Sequence, residues 1–349
     1  MSVSARSLLG LLCVCRMATC SPPPAVPGLA QYSAYIQQYD KAYTQDQFWE
    51  HFATFTDNLA YIEASNAAPS KSYKMGVNAF TDITRGEFAA SHLSNRMTPR
   101  GTSHWNVVSR PLAPGWPGKG MPQAIDWRAS GWVTDIKDQG QCGSCWAFSA
   151  VGAIEGQHAN ATGQLTSFSE QNLVDCAYDY GCEGCDGGWP EAAMRYVADN
   201  KGLDTEGSYP YSGSDGSCAY QKNQSGGTVT GTVNVTSGDM GALYGAIATV
   251  GPISVAIDAE SDFQFYASGV FSSTTCSSQF LDHAVLAIGY GVSPSKQKYI
   301  IVKNSWGTDW GMDGYVYMAS DTPNMCGIAS CASYPIVTPK TAHLRIESL

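Results

Sequence analysis

The run Gln139-Gly140-Gln141-Cys142-Gly143-Ser144-Cys145-Trp146-Ala147-Phe148 constrains this chain more than any other segment. Two glycines and a serine lead directly into Trp146, Phe148, Val151 and Ile154, which recur at roughly helical spacing. The pattern predicts a loop that becomes a helix near Cys145. A helix N-terminus carries about half a positive charge and unpaired N–H groups. Both favour a thiolate over a thiol, and the thiolate is the nucleophilic form of cysteine.

A thiolate that attacks a carbonyl needs a base within hydrogen-bond reach. His51, His92 and His104 lie upstream and His343 lies in the last residues, which leaves His158 and His283. His158 is 13 residues along the same helix, roughly 20 Å away at 1.5 Å per residue, and reads as a surface position at the helix end. His283 lies in Leu281-Asp282-His283-Ala284-Val285-Leu286-Ala287-Ile288-Gly289-Tyr290-Gly291, a hydrophobic strand ending in a glycine turn. A third group has to hold the imidazole in one tautomer. Asn304, in Lys303-Asn304-Ser305-Trp306-Gly307, can accept from a ring N–H through its amide oxygen, and Trp306 can cover that bond. Taken singly, these residues read as a packed cysteine, a surface histidine and a turn. Their order and flanks join them in one site.

On these residues the chain resembles the papain family of cysteine endopeptidases, of the cathepsin L type, from about Tyr32 to Val337. The resemblance implies Cys145 as nucleophile, His283 as general acid and base, and Asn304 as the orienting group. It implies Gln139 and the backbone N–H of Cys145 as the oxyanion hole, where preorganised donors are typically worth about 3–4 kcal/mol. The implied fold is α+β: a papain-like pair of domains, the left one helical and the right one an antiparallel, β-barrel-like sheet, preceded by a helical prodomain. The cleft between domains takes protein and peptide substrates. No cofactor or metal is implied.

Specificity follows by the same resemblance. Gly187 and Gly188 would offer backbone groups to an extended substrate by strand addition. The pocket for the residue two before the scissile bond (P2) would be lined by Trp189, Pro190, Ala256, Leu281, Ala284 and Cys331, with Asp282 beside it. No acidic residue sits at the base, so hydrophobic or aromatic P2 residues are expected and Arg is not. Trp306 and Trp310 would line the leaving-group side, with core packing as the alternative for Trp310. The absence of an insertion with paired histidines favours an endopeptidase over a dipeptide-releasing enzyme. The alternative is a catalytically inactive papain-like binding protein, which the intact Cys145, His283, Asn304 and Gln139 argue against.

Twelve cysteines suit an oxidising compartment. Residues 7–15 form a short apolar run after Arg6, which places a signal peptide in residues 1–20 and the protein in the secretory pathway, lysosome-like or extracellular. That run is too short to span a bilayer, and no other run approaches ~20 apolar residues. The resemblance implies three disulfides: Cys142–Cys185, Cys176–Cys218 and Cys276–Cys326. Cys145 is then free. Cys182 and Cys331 are left over, and two free thiols are expected in preference to a bridge between them. The C-x-x-C pairs at Cys142/Cys145 and Cys182/Cys185 also fit a structural zinc site, and the first fits a thioredoxin-like redox pair. The zinc reading leaves Gln139, His283 and Asn304 without roles, and the redox reading lacks a βαβ context.

Upstream, residues 31–93 read as a helical segment without cysteine. Phe55, Asn58, Ile62 and Asn66 recur at spacings of three and four on one helix face. This resembles the first motif of the inhibitory prodomain of cathepsin L-type zymogens, with two departures. Gln47 stands where the motif has Glu and His51 where it has Arg, so a charged pair is missing. Gly76-Val77-Asn78-Ala79-Phe80-Thr81-Asp82 matches the second motif. Its implied role is to hold a segment that runs through the cleft in reverse of a substrate.

Charge divides along the same boundary. Residues 1–121 hold ten Lys/Arg and seven Asp/Glu, a balance of +3; residues 122–338 hold eight and twenty-two, a balance of −14. The two parts attract at neutral pH, and protonating carboxylates in acid, Asp82 among them, is expected to promote self-processing. The acidic balance also favours solubility, and nothing suggests nucleic-acid binding. Residues 94–121 read as a linker with the maturation site near 119–123. The peptidase domain follows at 122–338, then a tail at 339–349 with no readable role. The first half of the peptidase domain predicts helices at 145–157, 169–176 and 190–200, with Ser167-Phe168-Ser169-Glu170 as a capping box and Pro190 in a first turn. A further helix is expected over 239–250. The second half predicts strands at 253–258, 283–288, 299–303 and 315–318. Sequons occur at Asn160, Asn223 and Asn234. A monomer is expected.

Overall fold

The computed structural model describes residues 26–69, 71–94, 121–259 and 261–337. The expected signal segment, most of the expected linker with its maturation site, and the tail lie outside these residues.

The prodomain opens with α1 (Leu29–Gln38) and α2 (Gln45–Ala67), packed through Tyr32, Tyr35, Phe48 and Phe55. Thr44 and Gln47 form a reciprocal capping box at the start of α2. His51 places Nδ1 2.7 Å from the Asp82 carbonyl and stacks on Tyr43. Both departures from the family motif are thus accommodated by hydrogen bonds rather than by an ion pair. The face read from the sequence divides its work. Phe55 and Ile62 are buried, while Asn58 donates to the Thr81 and Ile83 carbonyls. Asn66 brackets Met75, donating to its carbonyl at 2.7 Å and accepting from its N–H at 2.9 Å. Asp82 is fully buried and accepts from Lys41 (2.6 Å), Tyr43 (2.7 Å) and Tyr35 (3.0 Å), all within the prodomain.

The prodomain is not wholly helical. Between α2 and α3 (Arg85–His92) lies β1 (Tyr73–Met75), a strand too short to show a period in the sequence. It pairs antiparallel with residues Tyr266–Phe271 of the peptidase domain and so adds an edge strand to that domain's sheet. Ile62, Tyr73, Met75, Phe80, Phe88 and Leu93 join the hydrophobic core of the right domain.

In the left domain α4 (Cys145–Thr162) is buried along nearly its whole length, with α5 (Glu170–Cys176) and α6 (Pro190–Asn200) packed against it. Pro190 opens α6 as expected. Ser169, rather than Ser167, caps α5, because its hydroxyl accepts from the Asn172 N–H. Glu170 is therefore the first helical residue and not the third, and it is buried.

The remaining strands are β2 (Ile125–Asp126), β3 (Leu203–Asp204), β4 (Ser225–Gly227), β5 (Gly231–Asn234), β6 (Ile253–Ile257), β7 (Tyr266–Phe271), β8 (His283–Val292), β9 (Lys298–Lys303), β10 (Tyr315–Ala319) and β11 (Ala332–Ile336), with α7 (Met240–Thr249) before β6. The main sheet runs β1-β7-β10-β9-β8-β6-β11-β5, with β2 on β8; β3 and β4 pair apart. Every pairing is antiparallel except β7 with β10, which departs from the all-antiparallel expectation. β8 does not stop at its glycines. It continues to Val292, because β2 pairs with Gly289 and Tyr290 and β9 carries the other side, with a register shift between Ala287 and Gly289. Disulfides join Cys142–Cys185, Cys176–Cys218 and Cys276–Cys326.

Candidate active site

Cys145 is the first residue of α4 and is fully buried. The loop before it is pressed close to its neighbours. Gly143 donates to the Cys185 carbonyl at 2.8 Å, and a Cβ there would stand 2.4 Å from that oxygen. The Cys145 sulfur lies 3.2 Å from the Ser94 hydroxyl and 3.4 Å from the Ala284 N–H. Burial pushes its thiol up, outweighing the contacts with Ser94 and the Ala284 N–H that pull the other way. The expectation of a thiolate therefore does not hold for this covered site. A helix N-terminus contributes at most about 2 kcal/mol, whereas taking an ion out of water costs several.

His283 opens β8 and is fully buried. Its Nε2 is 2.8 Å from Asn304 Oδ1, and its ring stacks on Trp306 at 4.5 Å and 22°. Asn304 Oδ1 also accepts from the Ser305 N–H at 2.8 Å, which fixes the amide's orientation. Nε2 must then carry the proton, leaving Nδ1 as the acceptor, and Nδ1 has no hydrogen-bond partner among the described residues. Burial pushes His283 down to about 3, against the opposite pull of Asn304, so the ring is neutral.

Gln139 is held from both ends of its amide. Oε1 accepts from the Ser305 hydroxyl at 2.7 Å, while Nε2 donates to the Cys142 carbonyl at 2.8 Å and to the His92 carbonyl at 3.0 Å. The prodomain crosses the site here. Two residues after His92, the Ser94 N–H donates to the Asp282 carbonyl at 2.8 Å, and the Ser94 hydroxyl donates to the Gly143 carbonyl at 3.2 Å. The Arg85 guanidinium donates to the Ala259 carbonyl and lies 3.9 Å from the Asp282 carboxylate. Phe80 and Phe88 pack edge-on against Trp306. Among the described prodomain residues, it is the Ser94 hydroxyl that hydrogen-bonds with the sulfur. Sequence reading missed His92, Ser94 and Ser305, whose contacts run through backbone groups or between distant segments and leave no spacing to read.

Most of the residues predicted for the P2 pocket gather. Trp189, Ala256, Leu281 and Ala284 share one apolar cluster, with Cys331 at its edge and Pro190 at the start of α6. Ala256 faces Ala284 across β6 and β8, and the Ala256 N–H donates to the Cys331 carbonyl at 3.2 Å. Gly187 uses its backbone within a turn. Its carbonyl accepts from the Glu183 N–H at 2.7 Å and its N–H donates to the Gly184 carbonyl at 3.4 Å, in a turn that needs its φ of 127°. For Trp310 the structure shows the core-packing alternative. It is buried against Phe263, Tyr266 and Trp306, and its ring N–H donates to the Phe263 carbonyl. Cys182 is buried and Cys331 half-buried, both outside disulfides, and burial pushes the Cys331 thiol up to about 12. Of the sequon residues, Asn160 and Asn223 are exposed and Asn234 is half-buried.

Residues 121–336 match the papain family cysteine proteases, and residues 32–88 match the cathepsin propeptide inhibitor domain (I29). The chain is 48% identical to a cathepsin L-like peptidase of Aedes aegypti, over 76% of this chain and 79% of that one. It is 44% identical to procathepsin L of Rattus norvegicus, over 88% and 92%. Its structure is similar to that of digestive procathepsin L 3 from the larval midgut of Tenebrio molitor, with a TM-score of 0.80 and 39% identity, covering 90% of this chain and 100% of that one. The chain belongs to the papain family of cysteine proteases. Within that family it is a cathepsin L-like cysteine endopeptidase zymogen that carries its own propeptide inhibitor domain.

Proposed function

We propose that the peptidase acts through a Cys145–His283–Asn304 site with Gln139 in the oxyanion hole, on proteins and peptides with a hydrophobic or aromatic P2 residue. The observation that carries this reading is the His92 carbonyl, 3.0 Å from Gln139 Nε2. A carbonyl oxygen already sits on the donor that an oxyanion would need, beside a helix whose first N–H groups have no intrahelical partner.

Opening the cleft rehydrates Cys145 and His283, which relieves the burial that keeps both neutral. The Cys145 proton then passes to Nδ1 of His283, the nitrogen that Asn304 leaves bare. The thiolate attacks the scissile carbonyl, and charge gathers on an oxygen held by Gln139 Nε2 and the Cys145 N–H. The imidazolium returns its proton to the leaving amine, and a thioester remains. Water, deprotonated by the same imidazole, hydrolyses it. Trp306 shields the His283–Asn304 bond by stacking on the ring. An apolar wall of Trp189, Ala256, Leu281 and Ala284 suits a hydrophobic P2 side chain. Maturation near residues 119–123, use of the three sequons, a monomeric state and a lysosome-like or extracellular destination complete the proposal.

Hydrolysis of a Phe-Arg peptide reporter at pH 5, after acid activation, tests it. Activity should disappear in Cys145→Ala and under an epoxide thiol-protease inhibitor. Gln139→Ala should lower kcat by about 10²-fold. Cleavage of an Arg-Arg reporter faster than Phe-Arg would defeat the P2 assignment. An inert, correctly processed wild type would leave a binding protein in its place.

A further inference from the structure

The two donors of the proposed oxyanion hole, Gln139 Nε2 and the Cys145 N–H, belong to residues six positions apart on one loop. The tip of that loop faces solvent. Gln141 is exposed, and Gly140, at a φ of 56°, has open space where a Cβ would stand. The spacing of the two donors therefore depends on what grips the loop at its ends. On one side the Gln139 N–H donates to the Ser305 carbonyl and the Gly143 N–H to the Cys185 carbonyl, both at 2.8 Å. On the other side one hydroxyl grips both ends.

That hydroxyl belongs to Tyr211, between β3 and β4. It donates to the Gln139 carbonyl at 2.8 Å and lies 2.6 Å from the Ser144 hydroxyl. A phenol has one proton to give. The carbonyl takes it, so Ser144 donates to the Tyr211 oxygen. Ser144 is the N-cap of α4, where a serine hydroxyl ordinarily accepts from the first turn of the helix. It is fully buried and makes no such bond. Two groups adjoining the two donors thus meet on one oxygen: the carbonyl of Gln139 itself, and the side chain of the residue whose peptide unit carries the Cys145 N–H. Tyr211 is itself fixed. Its N–H donates to Glu206 Oε1 at 2.9 Å, and its ring meets Phe148 of α4 edge to face at 4.9 Å. Burial, helped by the charges of Glu170 and Asp138, pushes its pKa up against the pull of Ser144, so the hydroxyl keeps its proton through the acid and neutral range.

We propose that Tyr211 is a positioning residue for peptide-bond cleavage, whose hydroxyl clamps the Gln139 carbonyl to the Ser144 hydroxyl and so sets the spacing of the two oxyanion donors. The clamp rests on the reading of Gln139 Nε2 and the Cys145 N–H as the oxyanion hole. Such donors serve the transition state only when they are preorganised around the charged oxygen. Loosening them weakens binding of the transition state and leaves the bound substrate nearly untouched, so the loss falls on kcat and spares KM.

Tyr211→Phe removes the hydroxyl and keeps the ring against Phe148. The full chain is matured in acid, its active sites are counted with an epoxide thiol-protease inhibitor, and the Phe-Arg reporter is hydrolysed at pH 5. The kcat per active site should fall about tenfold, with KM within about twofold of wild type. Alkylation of Cys145 by iodoacetamide builds no charge on a carbonyl oxygen and should keep its wild-type rate. Tyr211→Phe combined with Gln139→Ala should lose clearly less than the product of the two single losses, because both act on one donor. If Tyr211→Phe does not mature, Ser144→Ala releases the clamp from its other end and should lower kcat about threefold at unchanged KM. With Gln139→Ala impaired, an unchanged kcat in the clamp variant, a loss carried by KM, an alkylation rate that falls with kcat, or a fully multiplicative double variant would each overturn the clamp. A fully active Gln139→Ala would overturn the oxyanion reading itself, and the clamp with it.

Discussion

The Cys145 sulfur sits at a helix N-terminus that favours its anion and in a dry contact that favours its neutral form, and the Ser94 hydroxyl at 3.2 Å helps to decide between them. That hydroxyl also donates to the Gly143 carbonyl, so it is fixed on the loop before the nucleophile. Ser94→Gly removes a hydrogen bond worth about 1 kcal/mol and opens a path to the sulfur. The expected result is a zymogen whose Cys145 is alkylated by iodoacetamide about fivefold faster at neutral pH, with kcat of the mature enzyme unchanged. An alkylation rate equal to wild type would show that Ser94 only fills space. Chemistry made half of this site legible. A nucleophile, a base, an orienting amide and an oxyanion donor are demanded residue types, and Cys145, His283, Asn304 and Gln139 stand in recognisable flanks. Ser94 and Ser305 are common residues that act through single polar contacts to distant segments, and no pattern in one sequence marks them.

Elements were legible where their period was long. The face of α2 could be read over twelve residues, from Phe55 to Asn66, whereas β1 has three residues and takes its shape from β7, nearly two hundred positions away. Asn66 joins the two scales, because it sits on the readable face of α2 and clasps both backbone groups of Met75 in β1. Asn66→Ala leaves that N–H and carbonyl without their partner and is expected to destabilise the prodomain by about 1–3 kcal/mol. The measurement is urea unfolding of the full chain carrying Cys145→Ala, in which a lower prodomain midpoint should appear while the peptidase transition stays in place. A single unshifted transition would mean that β1 is held by the sheet alone. Local chemistry misled at one other place for an identifiable reason. The S-x-x-E pattern pointed to Ser167, but the helix starts two residues later because Lys137 and the domain core draw Glu170 inward.

Across the whole molecule the question is which group opens the zymogen in acid, and sign and pH window decide it. Among the described residues, Asp82 bonds within the prodomain. Asp262 does cross the boundary, accepting from Lys71 at 2.7 Å and from Tyr61 and Tyr73. Burial raises its pKa, but those three donors outweigh burial and hold it below its ordinary value. A depressed carboxylate lends stability that is lost only below about pH 4. Asp282, pushed up to about 6 by burial, runs the other way, since its proton is bound by the closed form. His92 has both the sign and the window. It is buried beside the cleft, stacked on Phe88 at 5.1 Å and edge-on to Phe80 at 4.7 Å, with both rings against Trp306. Its Nδ1 meets the Ser91 hydroxyl at 2.7 Å, and its carbonyl is the one on Gln139. Burial, helped by the Lys41 charge, pushes it down to about 4. His283 is the other titratable group that faces it, and it too is neutral here. Once released, the ring would titrate near 6.5. Closure is therefore fully favoured above that pH and loses ground until about pH 4, by about 2 kcal/mol or about 30-fold between pH 7.5 and pH 5. His92→Met fills the same aromatic box without a proton to bind. Processing of the full chain by a trace of mature enzyme should accelerate steeply from pH 7.5 to 5 in wild type and by about 30-fold less in His92→Met. An identical pH profile in the two proteins would return the trigger to the carboxylates, and the steep rise should then appear below pH 4, where Asp262 protonates.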